Sequence, residues 1–292
     1  MGGSVNESSH ENGKWFWCKK FCLTLANGIL ILILFFLTVT PALAQEFNHR
    51  HLQYDRLSGN YVQSGMVDYS GLKTDSRALD QYLDGLAQVA ETRFNSWSES
   101  QQLAFLINLY NAATLGLILE NYPVKSIKDI GGFFKGPWGQ PVVSLFGGTI
   151  TLNTLEHEIV RKKYDEPRIH LALVCAAKGC PPLRSEAYTD QKLNMQLDDQ
   201  AKQFFGNPLK FRIDRRKNVV YLSPIFKWYG EDFIGKYTPE VGFGGLDADD
   251  RAVVNFSSRY LGKEDRKYLI GGGYKVKYLD YDWSINEREG VR

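Results

Sequence analysis

The side chains best suited to nucleophilic chemistry in this chain are Cys175 and Cys180, five residues apart, with His170 five residues upstream. A Cys–His pair lets the imidazole lower the thiol pKa and then return the proton to a leaving group. The same cysteines can instead close a short loop as a disulfide. A fully extended run would hold their Cα atoms about 17 Å apart, so a bond requires Ala176–Gly179 to turn back, and Lys178-Gly179 suits such a turn. The C-x4-C spacing is not the C-x-x-C of a dithiol oxidoreductase. Inert thiols, and a metal site made with His170, complete the alternatives.

Glu156 carries the next signal. Leu152, Leu155, Ile159 and Val160 define an apolar helical stripe, and Glu156 projects into it, with His157 on the far side. A carboxylate on a buried face needs partners or a raised pKa. It is therefore either an acid/base group or a structural one, and as the residue three beyond Asn153 it also fits a capping box. His157-Glu158-Ile159-Val160-Arg161 ends in arginine, so the second ligand of an H-E-x-x-H zinc site is missing. Asn108 and Asn111 lie on neighbouring faces of one helix. As buried amides they either tie that helix to adjacent loops or line a polar pocket. Arg184 is available for a carboxylate. Tyr110, Trp138, Trp228, Tyr229, Trp283 and Phe133 are aromatic groups for a carbohydrate or peptide groove, or for packing. No Gly-rich phosphate loop and no G-x-S-x-G elbow is present.

These residues must be positioned by a mixture of helices and hairpins. Ser98 with Gln101 three residues later predicts a capped helix to Asn121, stopped before Pro123. Its stretch Ser100–Leu119 has no charge, but five polar side chains fit a buried core helix better than a membrane span. Ser126 with Asp129 predicts a short helix closed by Gly131-Gly132. Val142–Phe146 and Thr149–Leu152 predict a hairpin around Gly147-Gly148. Asn153 should cap a helix to about Lys163, and the apolar run Ile169–Cys175 reads as a buried strand. On a strand, His170 and Cys175 face opposite sides, which leaves Cys180 as the freer nucleophile. Thr189 should open a helix ended by Gly206. Lys210–Asp214 and Val219–Leu222 form a second hairpin. Ser223-Pro224 starts a helix, Leu246–Leu261 is another, and Tyr274–Leu279 is a last strand. Without a regular βαβ repeat, the expectation is one α+β domain with a long buried central helix and an antiparallel sheet built from hairpins.

Composition narrows the class. Of 292 residues, 35 are basic and 33 acidic, for a net charge of +2, and 13 % are aromatic. That excludes a disordered chain and argues against phosphate neutralisation of nucleic acid. The N-terminus reads as an export signal: Lys14, Lys19 and Lys20 precede the apolar Leu23–Val39, and Ala42-Leu43-Ala44 gives the cleavage pattern before Gln45. The expectation is a signal peptide over 1–44 and a globular domain over 45–292, in a periplasm or equivalent extracytoplasmic lumen. The alternative is an uncleaved N-terminal anchor, with membrane contact through that segment alone. Cys18 and Cys22 leave with the signal, so the mature chain keeps Cys175 and Cys180 in an oxidising compartment.

Five blocks in order carry a resemblance. Phe105-Leu106-Ile107-Asn108-Leu109-Tyr110-Asn111-Ala112, Tyr122–Ile127, Leu152–His157, Pro167–Cys175 with Gly179–Arg184, and the segments Ser223–Phe233 and Tyr278–Trp283 resemble motifs of the domain of unknown function 547 family. The resemblance spans about residues 52–286. That family has no established activity. It is widespread in bacteria, often with export signals, and has a plant branch with a leucine zipper. A similarity to papain-like and transglutaminase-like folds is also suspected. Such enzymes place the nucleophilic cysteine near the start of a central helix, and helix 98–121 has no cysteine.

Two functional readings follow. In one, Cys180 is the nucleophile, His170 the base, Glu156 a site acid or base, and Asn108 or Asn111 an orienter or oxyanion donor, for acyl transfer or amide hydrolysis. In the other, a Cys175–Cys180 disulfide staples a non-catalytic binding module. Either would act on a small molecule or peptide of the envelope, with no cofactor, metal or nucleic acid expected.

Overall fold

A computed structural model describes residues 1–3, 46–132 and 135–288. The export segment with its three lysines and Ala42–Ala44 lies outside the described residues, as does Phe133. Met1–Phe47 and Asn48–Arg292 are separate compact units, and the described residues of the first carry no regular structure.

Asn48–Arg292 begins with α1 (Leu52–Tyr61), the short antiparallel pair β1 (Val62–Gln63) and β2 (Met66–Val67), α2 (Tyr69–Thr74), α3 (Ser76–Ala87) and α4 (Glu91–Asn95). The central helix α5 follows, Glu99–Asn121. Its start is the expected capping box: Ser98 Oγ accepts from Gln101 N at 3.3 Å, and Gln101 Oε1 accepts from Ser98 N at 3.0 Å. The helix is long and apolar enough to cross a membrane, yet the fold buries it on all sides, the arrangement of a core helix. A capped 3-10 turn (Ile127–Asp129) and another at Pro137–Gly139 lead to β3 (Val143–Leu145) and β4 (Gly148–Ile150), an antiparallel hairpin. Its turn residues Phe146 and Gly147 both have positive φ, 53° and 77°, as a type I′ turn requires.

Three sequence expectations fail beyond this point. Asn153 does not cap the next helix; it has helical φ and ψ, and Thr151 Oγ1 accepts from Thr154 N instead. The helix then winds as a π segment over Thr154–Val160 before the α turn α6 (Arg161–Lys163). The expected capping box at Glu156 is thereby lost. Ile169–Cys175 is not a strand. Pro167 sits in the first turn of a 3-10 helix over Pro167–Leu171, capped by the Glu166 carboxylate at Arg168 N, and an irregular segment carries the chain to Cys175. A short apolar run cannot by itself distinguish strand from buried helical turn. The next helix, α7 (Leu193–Phe205), starts four residues after Thr189 because Gln196 reaches back to bond Thr189 N and Ala187 O.

The chain closes with β5 (Phe211–Asp214), β6 (Val219–Leu222), α8 (Pro224–Tyr229), a 3-10 turn (Gly230–Phe233), α9 (Ile234–Tyr237), α10 (Ala248–Ser258), α11 (Lys263–Gly271) and β7 (Lys275–Tyr278). The three strands form one sheet in the order β5-β6-β7. The first pair is antiparallel, but β6 and β7 run parallel, a departure from the expected antiparallel sheet. Helices α10 and α11 supply the long crossover that a parallel pair needs. Phe204, Phe226, Phe233 and Phe256 fill the core beside this sheet. The fold is α+β with small sheets around a buried helix.

Candidate functional site

The π segment decides the site. Its wider turn keeps Glu156 on the buried side and brings His157 to the edge of the same cavity. His157 was expected on the far side; the expectation assumed α-helical winding. Glu156 is 7 % exposed and lines the cavity beside the phenols of Tyr110, on α5, and Tyr229, at the end of α8. Burial first, and then the adjacent carboxylate, push both phenols up, so they stay donors.

His170 stacks on the Tyr229 ring at 4.2 Å with 11° between planes. Its Nε2 lies 2.6 Å from Asp232 Oδ2. Arg161 grips the same carboxylate with two bonds, Nε to Oδ2 at 2.7 Å and Nη2 to Oδ1 at 2.8 Å. Burial raises the Asp232 carboxyl, but the bonds from His170 and Arg161 outweigh it and hold the group well below the usual carboxylate range. Arg161 Nη1 also donates to His157 Nδ1 at 3.2 Å.

The Cys175 and Cys180 sulfurs are 2.06 Å apart, the spacing of a disulfide, with Cα atoms at 6.1 Å. The chain makes the return that the extended estimate required: Ala176 has a φ of 57°, and Cys180 N bonds Ala177 O. The loop is pinned to the C-terminal segment by Lys178 N to Ser284 O at 2.8 Å and Gly179 N to Asp282 O at 2.7 Å. Tyr281 Oη touches both sulfurs, at 3.1 and 3.2 Å, and Cys175 N donates to Cys180 Sγ at 2.9 Å.

Together these groups wall a cavity of about 300 Å³. Glu156, His170, the two sulfurs and Tyr110 meet there, with Trp138, Trp228 and Trp283 beside them. Since residues 169–175 are not a strand, the argument that placed His170 and Cys175 on opposite faces loses its premise. Trp228 stacks on Trp283 at 5.9 Å, Trp283 meets Trp138 edge-on at 5.8 Å, and Tyr281 packs on both Trp228 and Trp283.

Three expected site residues lie elsewhere. Asn108 is fully buried; its Oδ1 accepts from Tyr188 N at 2.9 Å and its Nδ2 donates to Tyr188 O at 2.8 Å. Asn111 clamps Val174 N at 2.9 Å and Ala172 O at 3.0 Å in the same way. Both amides bond loop backbone, and neither is among the described residues that line the cavity. Arg184 is bound by Asp199 at 2.6 Å and Glu186 at 2.5 Å, so its carboxylate partners are the protein's own. Sequence reasoning missed Asp232, Arg161 and Tyr281, which approach the cavity from distant segments. Asp232 and Tyr281 carried a signal only as members of the motif blocks 223–233 and 278–283, and Arg161 only as the residue that ends His157–Arg161.

Residues 94–205 match the family model described as a protein of unknown function, DUF547. The motif resemblance is thereby shown over that segment. The DUF547 match contains α5, the π segment and both cysteines, whereas Trp228, Tyr229, Tyr281 and Trp283 complete the cavity from beyond it and Asp232 holds His170. No curated protein and no solved structure matches the chain.

Proposed function

We propose that this chain is an exported ligand-binding module whose cavity holds a small molecule or peptide of the envelope. The observation that carries the reading is that both cysteine sulfurs stand in the cavity wall at bonding distance from each other. A bonded pair supplies a rigid wall and no thiolate. What remains are aromatic faces, the Glu156 carboxylate and the imidazoles, the mixture of an apolar lining with a few placed polar groups that binding sites use. Export rests on Lys14, Lys19, Lys20, the apolar run and Ala42-Leu43-Ala44. It is checked by an intact mass beginning at Gln45, with the uncleaved anchor as the alternative.

A second reading has one observation in its favour. Cys180 shares the cavity with His170 and Glu156, and receives donors from Cys175 N and Tyr281 Oη that would stabilise a thiolate after reduction. In that state thiol-dependent acyl transfer or amide hydrolysis is feasible. The long buried helix beside small sheets supports a papain- or transglutaminase-like ancestry for it, although the cysteines lie outside that helix.

Cys180→Ser separates the two. The module reading expects a stability loss of about 2 kcal/mol, the chain-entropy value of so small a loop. It also expects unchanged binding of short peptides and N-acetylated disaccharides, followed by tryptophan fluorescence. Amide hydrolysis that appears with dithiothreitol in the parent protein and vanishes in Cys180→Ser would transfer the assignment to the thiol enzyme.

A further inference from the structure

The charge inside the cavity specifies more than a generic ligand. Among the described residues that line it, Glu156 is the one carboxylate, and no lysine or arginine lines it. Beside Glu156 in the lining stand two phenols, Tyr110 and Tyr229, whose pKa burial pushes up. Arg161, just behind the wall, is committed to Asp232 and, at 3.1 Å, to Glu231. That guanidinium also reaches His157 Nδ1, at 3.2 Å. Asp232 answers His170. The Glu156 carboxylate is therefore left facing aromatic rings with no lysine or arginine among the described lining residues. Such a charge is costly alone and favourable once matched.

The aromatic wall is suited to the same partner. Indole faces attract cations through the ring quadrupole, most strongly for tryptophan. Lys128 Nζ already sits 4.3 Å from the Trp283 ring centroid, so this wall takes an ammonium within the protein itself. Trp228 is 44 % exposed, an unusual position for so large an apolar group unless something packs on it.

We propose that the cavity binds an organic ammonium group, held between the Glu156 carboxylate and the exposed ring of Trp228. The inference rests on the reading of this cavity as a ligand site and names its ligand class. A cavity of about 300 Å³ admits a small cationic head such as a protonated or methylated amine at the end of a longer ligand. Glu156 supplies the long-range attraction. The rings supply contact that a neutral group of the same shape would use less well.

The probes are choline and its uncharged carbon isostere dimethylbutanol, titrated into the oxidised protein with tryptophan fluorescence and calorimetric readouts. The expected result is roughly tenfold or greater preference for choline, from cation–π contact plus the carboxylate. Glu156→Gln should reduce that preference several-fold, and Trp228→Ala should weaken choline binding several-fold. A thermal melt of each variant checks folding, and Trp228→Ala, at the exposed edge, keeps the test available should Glu156→Gln not fold. Equal affinity for the two probes would overturn the cation assignment and leave the ligand site standing. If neither binds while an uncharged disaccharide or peptide does, the assignment is likewise overturned with the site intact. If nothing binds, both readings fall.

Discussion

Asn111→Ala tests whether the asparagines of the central helix are clamps or site residues. The amide is 2 % exposed and makes two bonds, accepting from Val174 N and donating to Ala172 O. Val174 and Ala172 are themselves 3 % and 1 % exposed, so water cannot replace the lost partner. Each buried backbone group left unpaired costs about 1–3 kcal/mol. Two of them put the loss near 4 kcal/mol, a large part of the roughly 5–15 kcal/mol that stabilises a domain. In urea, with a slope of about 2–3 kcal/mol per molar, the midpoint should fall by about 1–2 M at unchanged slope. Asn121→Ala is the control: that exposed amide makes one local bond, to Leu117 O, and its loss should cost under about 1 kcal/mol. Ligand affinity measured well below the unfolding range should change little. An Asn111→Ala protein within about 1 kcal/mol of the parent, but unable to bind ligand, would refute the clamp and return Asn111 to the site.

Two further outcomes follow from the packing of the disulfide loop. A methyl group added at Gly179 would come within 2.7 Å of the Tyr281 ring. Gly179→Ala should therefore cost about 1–3 kcal/mol in thermal or urea unfolding and change the tyrosine and tryptophan emission of the cavity wall; a neutral substitution would show that Tyr281 is not held there. Lys210 donates to Lys178 O from the same loop, and burial, partly offset by Asp282, pushes its amine down to about 8. The folded protein then binds fewer protons than the unfolded chain between about pH 8 and the unfolded value near 10.4, so this residue's contribution to stability rises with pH across that window. Lys210→Met should gain most over the parent near neutrality and lose that advantage by about pH 10, read from urea midpoints at several pH values; a pH-independent difference would contradict the buried charge.

Local codes were legible in this chain wherever one short segment both writes and uses the signal. Ser98 with Gln101 and Ser126 with Asp129 cap the turns they predict, and Ser223 with Pro224 starts α8. Each needs only atoms within three residues. Gln102–Leu119, apart from the half-buried Gly116, is buried because an uncharged helix has no face to offer water. Glu156 was legible as a buried carboxylate from its stripe, and a return of the chain between the cysteines was legible as the condition for their bond.

What the sequence left open depended on groups far apart along the chain. Whether Ile169–Cys175 extends or coils was decided by Pro167, the Glu166 cap and the Asn111 clamp from another helix. Whether Asn108 faces a ligand or a loop was decided by the Tyr188 backbone, eighty residues away. The π winding that turns His157 toward the cavity, and the parallel pairing of β7 on β6, have no short-range code here. By itself the sequence determined the central helix, the caps at Ser98, Ser126 and Ser223, the α+β class and most of the polar groups of the cavity, because these follow from local propensity and burial. Only the tertiary structure joined Arg161 and His170 through Asp232, set Tyr281 against both sulfurs and placed Glu156 in a lining with no lysine or arginine among its described residues, because charge pairing and ring stacking depend on distances that only packing sets.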